Sequence, residues 1–496
     1  MPYKLYFLID TADILYFLSA AWGYIVAFVV GALIVVTCLH AILYKRSTHS
    51  TMGWVGVILL SPIVGSMFYM LFGVNRIRKK AAKLLANRKG IDPTTAPEEI
   101  NTQVLQMALP PEHKDLATLN NLVEKVVERP LVSGNHIAPL INGDEAFPEM
   151  LAAIRKAEKT IALETYIFDN DSAGQRFLQA LRAAKERGVE VRVLLDALGA
   201  RYSWPPIESQ FRSENIPVAL FLPTRLPWHI PYANLRNHRK VLIVDGKQAF
   251  TGGMNIRVGN MLHESPSHPI QDLHFRLEGP ITGQLQREFV EDWAFVTNEQ
   301  LDGPDWFPPL EPHGDIFARV IADGPDENFQ KLHWTISGAI ASARSSIRIV
   351  SPYFLPDDHI LTALNVAAMR GVDVEILIPE KNNLAMVQWA SMDHLWLMLA
   401  HGCKIYASAP PFDHSKLMIV DDVWVLLGSA NMDPRSLKLN FELNVEAFDV
   451  GLATRLQKHF VEKRDTSRLM TREELEARPL SIRIRDGIAR LFTPYL

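Results

Sequence analysis

The sequence predicts an α/β fold of two similar repeats packed as a pseudo-two-fold pair, preceded by an N-terminal two-helix transmembrane hairpin. Three observations carry this prediction: strand-like and helix-like segments alternate after residue 130, one residue pattern occurs twice, and two uncharged apolar segments precede both copies. The 496 residues leave room for two or three domains. The two copies of the pattern lie 176 residues apart, which is too long for a solenoid repeat.

Two apolar segments near the N-terminus each have the length of a membrane span. Residues 14–43 and residues 54–72 are free of Asp, Glu, Lys and Arg, and a span needs about 20 apolar residues. The alternative is a signal peptide followed by a core helix, but the first segment is too long for a signal peptide and shows no small-residue cleavage site. We therefore predict a membrane region over residues 1–75, with helices at about 14–43 and 54–72.

Basic residues flank these segments unequally. Lys45 and Arg46 lie between the two segments. Seven basic residues follow the second segment: Arg76, Arg78, Lys79, Lys80, Lys83, Arg88 and Lys89. Because basic flanks stay on the cytoplasmic side, everything after Phe72 is predicted to be cytoplasmic. Residues 76–129 are predicted to be a basic flank and a linker, since residues 90–114 show no sustained periodicity.

The remaining chain repeats one order of elements. In the first repeat, residues 161–168 predict a strand, 172–187 a helix and 189–195 a strand. In the second repeat the corresponding segments are residues 347–350, 357–370 and 372–378. Strands that alternate with helices of this length predict a sheet with parallel pairs covered by helices. The domains are thus predicted at 130–302 and 316–496, separated by a proline-rich linker at 303–315.

The duplicated pattern contains His, Lys, Asp, Gly and Asn at fixed offsets. The first copy consists of His238, Lys240, Asp245, Gly252 and Asn255, and the second of His414, Lys416, Asp421, Gly428 and Asn431. In both copies the Lys follows the His by 2 residues, the Asp by 7, the Gly by 14 and the Asn by 17. A lone histidine is a weak signal, whereas two matches at corresponding places of a repeat indicate two halves of one site.

This pattern fits chemistry on a phosphate group. Residues two apart on a strand share a face, so each His and its Lys point in the same direction. One imidazole then attacks phosphorus while the other protonates the leaving oxygen, and the lysines stabilise the developing charge. Since the lysines supply the positive charge, no metal or other cofactor is expected. The predicted phosphate-binding residues are Asn255 and Asn431 as donors, with Gly253 and Ser429 letting the backbone come close.

Each histidine also needs an acceptor that orients its ring. We predict Asp272 for His238 and Glu446 for His414, because they follow Asn255 and Asn431 at the similar distances of 17 and 15 residues. The alternative for each is an ordinary surface carboxylate. Asp245 and Asp421 belong to the candidate catalytic set with the histidines and lysines, although their place at strand ends favours a role in stabilising a turn.

Composition excludes several classes of function. The net charge of −4 and the pI near 6.5 argue against nucleic acid as a partner, because nucleic-acid-binding domains are usually strongly basic. Cys38 and Cys403 are the two cysteines of the chain, so neither a disulfide framework nor a cysteine-based zinc site is predicted. The C-terminal stretch 483–492 is basic and amphipathic, as is typical of a helix that lies on a membrane surface.

The two His-Lys-Asp patterns resemble the paired HKD motifs of the phospholipase D superfamily, over about residues 130 to 496. Within that superfamily the chain is similar to bacterial cardiolipin synthases of the two-motif type. The stretches that carry this resemblance are Leu59–Gly65, Leu71–Arg76, Asn237–Lys240 and Asn431–Ser436. The chain departs from the general motif at Gly253, where the second copy has Ser429.

The resemblance implies phosphatidyl transfer from one phosphatidylglycerol to another through a phosphohistidine, which yields cardiolipin and glycerol. It also implies phospholipids as partners and a multi-pass location in the bacterial inner membrane. His238 as nucleophile and His414 as acid follow the commoner order in the superfamily. The alternatives are a membrane-bound hydrolase of the phospholipase D type, another phosphatidyltransferase, and a non-catalytic scaffold that binds lipid, against which the intact His, Lys and Asn residues argue.

Overall fold

The computed structural model describes residues 11–45, 48–73, 100–223, 235–325 and 330–493. The chain divides into two compact units. Among the described residues, the first comprises residues 11–45 and 48–73, and the second comprises residues 100–223, 235–325 and 330–493. The predictions about the basic flank at 76–89, and about the linker as far as residue 99, fall outside the described residues.

The first unit begins with α1 (Thr11–Tyr44), followed by α2 (Thr48–Leu60) and α3 (Pro62–Phe68), which continues into a π-helical turn. The part of α1 from Ala21 to Tyr44 is long and apolar enough to cross a membrane. This result confirms an apolar helix of spanning length in the predicted first segment.

The second apolar segment is broken between α2 and α3. Pro62 is the first residue of α3, where its missing N–H costs nothing, but it cannot continue the hydrogen-bond ladder of α2. A Cβ atom on Gly65 would lie 2.3 Å from the carbonyl oxygen of Val57. Residues eight apart in a straight helix are separated by about 12 Å along the axis, so the chain turns sharply here. The segment predicted as one helix at about 54–72 is therefore two helices, α2 and α3.

Polar side chains connect α1 to the broken segment. The hydroxyls of Thr37 and Ser66 are 3.1 Å apart, and the Nδ1 atom of His40 lies 2.7 Å from the hydroxyl of Tyr69. Tyr69 is buried together with Ala41 and Ile58. Interhelical hydrogen bonds of this kind stabilise helix association where the surroundings are apolar.

The second unit contains the α/β repeats. Its helices are α4 (Thr102–Ala108), α5 (Thr118–Val127), α6 (Asn142–Lys156), α7 (Ser172–Glu186), α8 (Glu208–Ser213), α9 (Ile281–Thr297), α10 (Lys331–Ser342), α11 (Asp358–Met369), α12 (Ala385–Ala400), α13 (Pro434–Lys438), α14 (Val450–Asp465), α15 (Arg472–Glu476) and α16 (Leu480–Arg490). Its strands are β1 (Val132–Ile141), β2 (Thr160–Thr165), β3 (Glu190–Asp196), β4 (Val218–Phe221), β5 (Arg236–Asn237), β6 (Val241–Val244), β7 (Gln248–Gly252), β8 (Ile270–Gln271), β9 (Leu273–Glu278), β10 (Ile316–Asp323), β11 (Ser346–Val350), β12 (Asp373–Pro379), β13 (Lys404–Ser408), β14 (Phe412–Asp413), β15 (Leu417–Val420), β16 (Trp424–Gly428), β17 (Asn440–Phe448) and β18 (Arg468–Leu469).

One continuous sheet runs through both repeats. Its strand order is β18-β13-β12-β11-β15-β16-β17-β10-β1-β9-β7-β6-β2-β3-β4. The antiparallel pair of β1 and β10 forms the joint. From that joint the order outward is β9, β7, β6, β2, β3, β4 on one side and β17, β16, β15, β11, β12, β13 on the other. These are corresponding strands of two copies, so the predicted α/β fold with two repeats is confirmed.

The predicted parallel pairs lie in the outer part of each half. β2, β3 and β4 are parallel, as are β11, β12 and β13. The helix-to-strand junctions of the two repeats correspond as well, because Gly188 has φ +92° and Gly371 has φ +94°. Only glycine adopts this conformation without strain, which explains the shared Arg-Gly-Val sequence at both junctions.

The segment from 100 to 127, predicted as part of a linker, is instead helical and packed. α5 presents Leu119 and Val123 on one face, and both are buried. They lie in the same core cluster as Leu332 and Ile336 of α10. The apolar positions of α5 recur at helical spacing, but the segment is short and follows a polar stretch that masks this periodicity.

Candidate active site

The two histidine–lysine pairs lie immediately before buried strands of the two repeats. β6 and β15, which follow the pairs, are buried at every residue. Lys240 is 1% exposed and Lys416 is 4% exposed. The intervening residue faces the other way in each copy, as Arg239 shows by pairing with Glu288 on α9 at 3.0 Å. Strand alternation therefore directs each His and its Lys toward the same side, as predicted.

Each histidine is held at its backbone by the opposite repeat. β5 pairs in parallel with β17, and β14 pairs in parallel with β8. The backbone N–H of His238 donates to the carbonyl of Phe441 at 2.9 Å, and the N–H of His414 donates to that of Gln271 at 2.8 Å. The segment that carries each histidine is thus positioned by residues of the other copy.

The carboxylates that orient the histidines are also exchanged between the repeats. The Nδ1 atom of His238 lies 3.0 Å from Oε2 of Glu442, and that of His414 lies 2.9 Å from Oδ2 of Asp272. Asp272 was predicted to orient His238, so that pairing is wrong. Asp272 orients the histidine of the second repeat, and Glu442, which the sequence analysis did not identify, orients the histidine of the first.

Backbone hydrogen bonds show that Asp272 and Glu442 occupy corresponding positions. Gly253 donates its N–H to the carbonyl of Leu273, and Ser429 donates its N–H to that of Leu443. The residue before each leucine is therefore the orienting carboxylate. Asp272 follows Asn255 by 17 residues, whereas Glu442 follows Asn431 by only 11, because the connecting loop is shorter in the second repeat. Equal offsets from the two asparagines therefore do not lead to Glu442. The dipeptides Asp272-Leu273 and Glu442-Leu443, an acidic residue followed by leucine in both repeats, do identify it.

Glu446, predicted to orient His414, has a different role. Its carboxylate accepts hydrogen bonds from Nε of Arg319 at 2.7 Å and from the indole of Trp424 at 2.9 Å. Glu446 and Arg319 are both fully buried. Glu446 lies four residues beyond Glu442 on β17, which is about 13 Å along an extended strand. It therefore stabilises the sheet, and the prediction for this residue is wrong.

Burial and the two lysines keep both imidazoles neutral. Burial lowers the pKa of His238 to about 4, with Lys240 lowering it and Glu442 opposing the shift. The pKa of His414 is lowered to about 4 by burial and by Lys416, against the effect of Asp272. A neutral imidazole that donates from Nδ1 to a carboxylate keeps the lone pair on Nε2. The carboxylate thus favours, in each histidine, the tautomer that a nucleophile or a general base requires.

The charged groups of the two pairs influence one another across the repeats. Burial lowers the pKa of Lys240 to about 7, with Lys416 lowering it further, and burial lowers the pKa of Lys416 to about 8. Lys416 also lowers the pKa of His238, and Lys240 that of His414. Effects of this kind require short separations in a poorly solvated environment. Both pairs therefore belong to one poorly solvated site in which an anion would relieve the repulsion between the lysines.

The two asparagines predicted to bind phosphate make different contacts. Oδ1 of Asn255 accepts from the N–H of Ile167 at 3.1 Å, which leaves the amide nitrogen as a donor. Nδ2 of Asn431 donates to the hydroxyl of Ser436 at 3.2 Å.

The small residues of the motif make room for protein groups. A Cβ atom on Gly253 would lie 2.3 Å from Oδ1 of Asp272. At the corresponding position, the hydroxyl of Ser429 donates to Oε2 of Glu442 at 2.5 Å. Gly253 and Ser429 thus contact the two orienting carboxylates. This pairing of glycine with the shorter acid and serine with the longer acid makes the halves unequal.

The aspartates of the two motifs lie away from the chemistry. Asp245 accepts hydrogen bonds from the backbone N–H groups of Glu158, Lys159 and Thr160. Asp421 does the same for residues 344, 345 and 346 of the second repeat. Both have positive φ, 52° and 50°. The turn-stabilising role is therefore the one that the geometry supports, and the catalytic assignment of Asp245 and Asp421 is wrong.

Two tyrosines also contact the histidines. The ring of Tyr166 lies 5.1 Å from that of His238, edge to face, and the ammonium of Lys240 lies 5.5 Å from the centre of the same ring. The ring of Tyr353 lies 6.1 Å from that of His414. No pattern in the sequence marked these tyrosines, because they are outside the repeated motif.

Known proteins share both the sequence and the fold of this chain. A family model described as "Cardiolipin synthase, PLD-like domain" matches residues 150–293 and 336–464. These two segments make up more than half of the chain. The chain belongs to the cardiolipin synthase family of PLD-like proteins. A second model, "Phospholipase_D-nuclease N-terminal", matches residues 32–73, which lie in α1, α2, α3 and the π-helical turn.

Individual members of this cardiolipin synthase family are similar over nearly the whole chain. The cardiolipin synthase of Geobacillus kaustophilus is 34% identical over 465 residues, covering 92% of this chain and 90% of that protein. The major cardiolipin synthase of Bacillus subtilis is 32% identical and covers 91% of this chain and 95% of that protein. Among solved structures, the phosphatidylserine synthase of Haemophilus influenzae matches with a TM-score of 0.60 at 14% identity, covering 76% of this chain and 100% of that one. This last likeness shows a shared fold.

Proposed function

We propose that this enzyme is a cardiolipin synthase that transfers a phosphatidyl group from one phosphatidylglycerol to a second, releasing glycerol. The observation that carries the proposal is the pair of neutral histidines with exchanged carboxylates, His238 with Glu442 and His414 with Asp272. Similarity to curated cardiolipin synthases over 92% of the chain supports the substrate class.

The first step forms a bond between a histidine nitrogen and phosphorus. Nε2 of His238 attacks the phosphodiester, and the bond from phosphorus to the headgroup glycerol breaks. The other histidine, His414, donates a proton to the departing glycerol oxygen. It acquires that proton once the anionic phosphate is bound, because a nearby negative charge favours the protonated imidazole. Lys240 and Lys416 stabilise the charge on the phosphoryl oxygens.

The second step reverses these roles. The terminal hydroxyl of another phosphatidylglycerol attacks phosphorus, the bond from phosphorus to Nε2 of His238 breaks, and His414 takes the hydroxyl proton. Cardiolipin forms and His238 is free again, while His414 holds the hydroxyl proton and loses it to solvent when the anionic product leaves. His238 is 7% exposed and both lysines are buried, so the charges of the transition state develop in a poorly solvated site, where the lysines act on them strongly.

Product analysis tests this proposal. Full-length protein is incubated with phosphatidylglycerol vesicles, alongside His238→Asn and His414→Asn. We expect cardiolipin and glycerol from the parent protein and no cardiolipin from the variants. Phosphatidic acid without cardiolipin would identify a hydrolase instead. Lipid binding without any product would identify a scaffold.

Trapping of labelled phosphate assigns the two histidines. We expect acid-quenched protein to carry the phosphatidyl group on His238, and label on His414 would reverse the assignment. Retention of the adduct in His414→Asn is a further expectation, since removing the acid and base slows turnover of the intermediate.

The proposed location is the bacterial inner membrane. The second unit, which carries both histidine–lysine pairs and is called the catalytic unit below, is proposed to lie on the cytoplasmic side. Two features support this placement: the spanning length of residues 21–44 in α1 and the excess of basic residues after Phe72. Protease treatment of inside-out membrane vesicles, compared with spheroplasts, tests it. Cleavage of the catalytic unit in intact spheroplasts would contradict the cytoplasmic placement.

A further inference from the structure

The last helix, α16, has an exposed apolar stripe. Leu480, Ile484, Ile488 and Leu491 are 71%, 54%, 54% and 75% exposed. They are separated by four, four and three residues, which places them along one side of a helix. Large apolar side chains that line up and remain in water indicate a surface that binds something.

The opposite side of α16 is fixed to the catalytic unit. Ala489 is buried in a cluster with Leu355 and Ala390. Arg490 pairs with Asp393 of α12 at 2.6 Å, and the guanidinium of Arg485 lies 4.4 Å from the ring centre of Trp389 on the same helix. α16 is therefore held in a fixed orientation, with its apolar stripe directed outward.

The helix beneath α16 begins beside the candidate active site. The hydroxyl of Tyr353 donates to Oδ1 of Asn383 at 2.8 Å, just before α12 begins, and the ring of Tyr353 contacts that of His414. Leu384 and Met386, at the start of α12, are 50% and 41% exposed. α12 thus connects the surface formed by α16 to the residues beside His414.

We propose that the exposed stripe of α16 docks the catalytic unit on a bilayer surface rich in anionic phospholipid. The four apolar side chains enter the boundary between headgroups and acyl chains, while the exposed Arg483 faces the headgroups. Each arginine near an anionic membrane increases affinity about fivefold. Because α12 joins α16 to the residues beside His414, docking through α16 brings those residues toward the bilayer surface from which lipid enters.

This inference goes beyond the proposed reaction and does not rest on it, because docking is measured without turnover. The full-length protein, with Cys38 and Cys403 replaced by alanine, receives an environment-sensitive fluorophore at Ile488→Cys. A matched control carries it at Met369→Cys, which is 61% exposed on α11. Both proteins are placed in phosphatidylglycerol nanodiscs that contain spin-labelled lipid.

We expect lipid-borne spin label to quench the fluorophore at residue 488 strongly and the one at residue 369 weakly. We also expect the difference to decrease in phosphatidylcholine nanodiscs. Equal quenching at the two sites would overturn the proposal. Protection of residue 488 from aqueous iodide without quenching by lipid would also overturn it, because that result identifies a second copy of the chain as the occupant.

A double variant provides the second arm. Ile484→Glu with Ile488→Glu places charge on the stripe at exposed positions, so the melting temperature should not change. A fluorophore at Leu480→Cys should then lose its quenching by lipid. Retained quenching together with an unchanged melting temperature would show that the stripe does not contact the bilayer.

Discussion

Replacing Glu442 by glutamine should remove most of the catalytic activity and leave the fold intact. The Nδ1 atom of His238 lies 3.0 Å from the Glu442 carboxylate. As Nε2 of His238 attacks phosphorus, the imidazole becomes positively charged, and two opposite charges about 4 Å apart near a protein surface interact by about 4 kcal/mol. Since each 1.36 kcal/mol corresponds to about tenfold in rate, loss of this charge should lower kcat roughly a thousandfold.

The matched control is Glu446→Gln, on the same strand and the same face of the sheet. Glu446 and Arg319 form a fully buried pair, and removing one partner of such a pair costs about 3–5 kcal/mol of stability. This variant should therefore melt at a lower temperature, while kcat per folded molecule stays within about threefold of the parent value. Glu442→Gln should instead lower kcat and leave the melting temperature nearly unchanged, because glutamine keeps an acceptor for the amide of Asn440.

The measurements are steady-state transfer rates on phosphatidylglycerol vesicles and thermal unfolding of the same preparations. A thousandfold loss of kcat in Glu446→Gln, with less than about a tenfold loss in Glu442→Gln, would refute the exchange of carboxylates between the repeats. It would restore the pairing that equal spacing in the sequence predicted.

Three further outcomes are expected. Lys240→Met should stabilise the unliganded protein most below about pH 7 and progressively less toward pH 10. The reason is that burial lowers the pKa of Lys240 to about 7, whereas the lysine of the unfolded chain stays protonated between these two pH values. Thermal unfolding across pH checks this, and a pH-independent difference would contradict it. Gly253→Ser should displace Asp272 and lower kcat at least about a hundredfold. Ser429→Ala, which loses one hydrogen bond to Glu442, should lower kcat only about tenfold. Equal losses of kcat in transfer assays would argue that the two halves of the site are equivalent. Asp245→Ala should lower the free energy of unfolding by about 2–4 kcal/mol, because it leaves three backbone N–H groups without their acceptor, and it should not change kcat. Denaturant titration measures the free energy of unfolding. A loss of kcat at unchanged stability would restore a catalytic role for Asp245.

Much of the fold and half of the site could be predicted from local sequence. Strands and helices of both repeats follow from periodicity, and the shared side of each His and Lys follows from strand alternation. The orienting carboxylates could not be predicted in the same way. Their partners are set by pairing between β5 and β17 and between β14 and β8, which is tertiary structure. Differences in loop length also changed the offset from Asn431 to Glu442.

The break in the second apolar segment was not predicted, for another reason. Hydropathy counts apolar residues along the chain, and residues 54–72 satisfy that count. Pro62 interrupts the backbone hydrogen bonds, and Gly65 allows the close approach to Val57 that the sharp turn requires. The length of an apolar segment predicts its environment better than it predicts its path.

The exchange of carboxylates has a consequence for descent. A single repeat of this kind contains half of each histidine–carboxylate couple and no complete couple. An ancestor with one repeat could therefore work only as a pair of chains, and fusion of the two genes would have preserved a dependence that already existed. After fusion the constraint acts between distant codons: the residue that faces His238 lies 204 positions away, at Glu442. The residues at these two positions are accordingly expected to covary among related sequences.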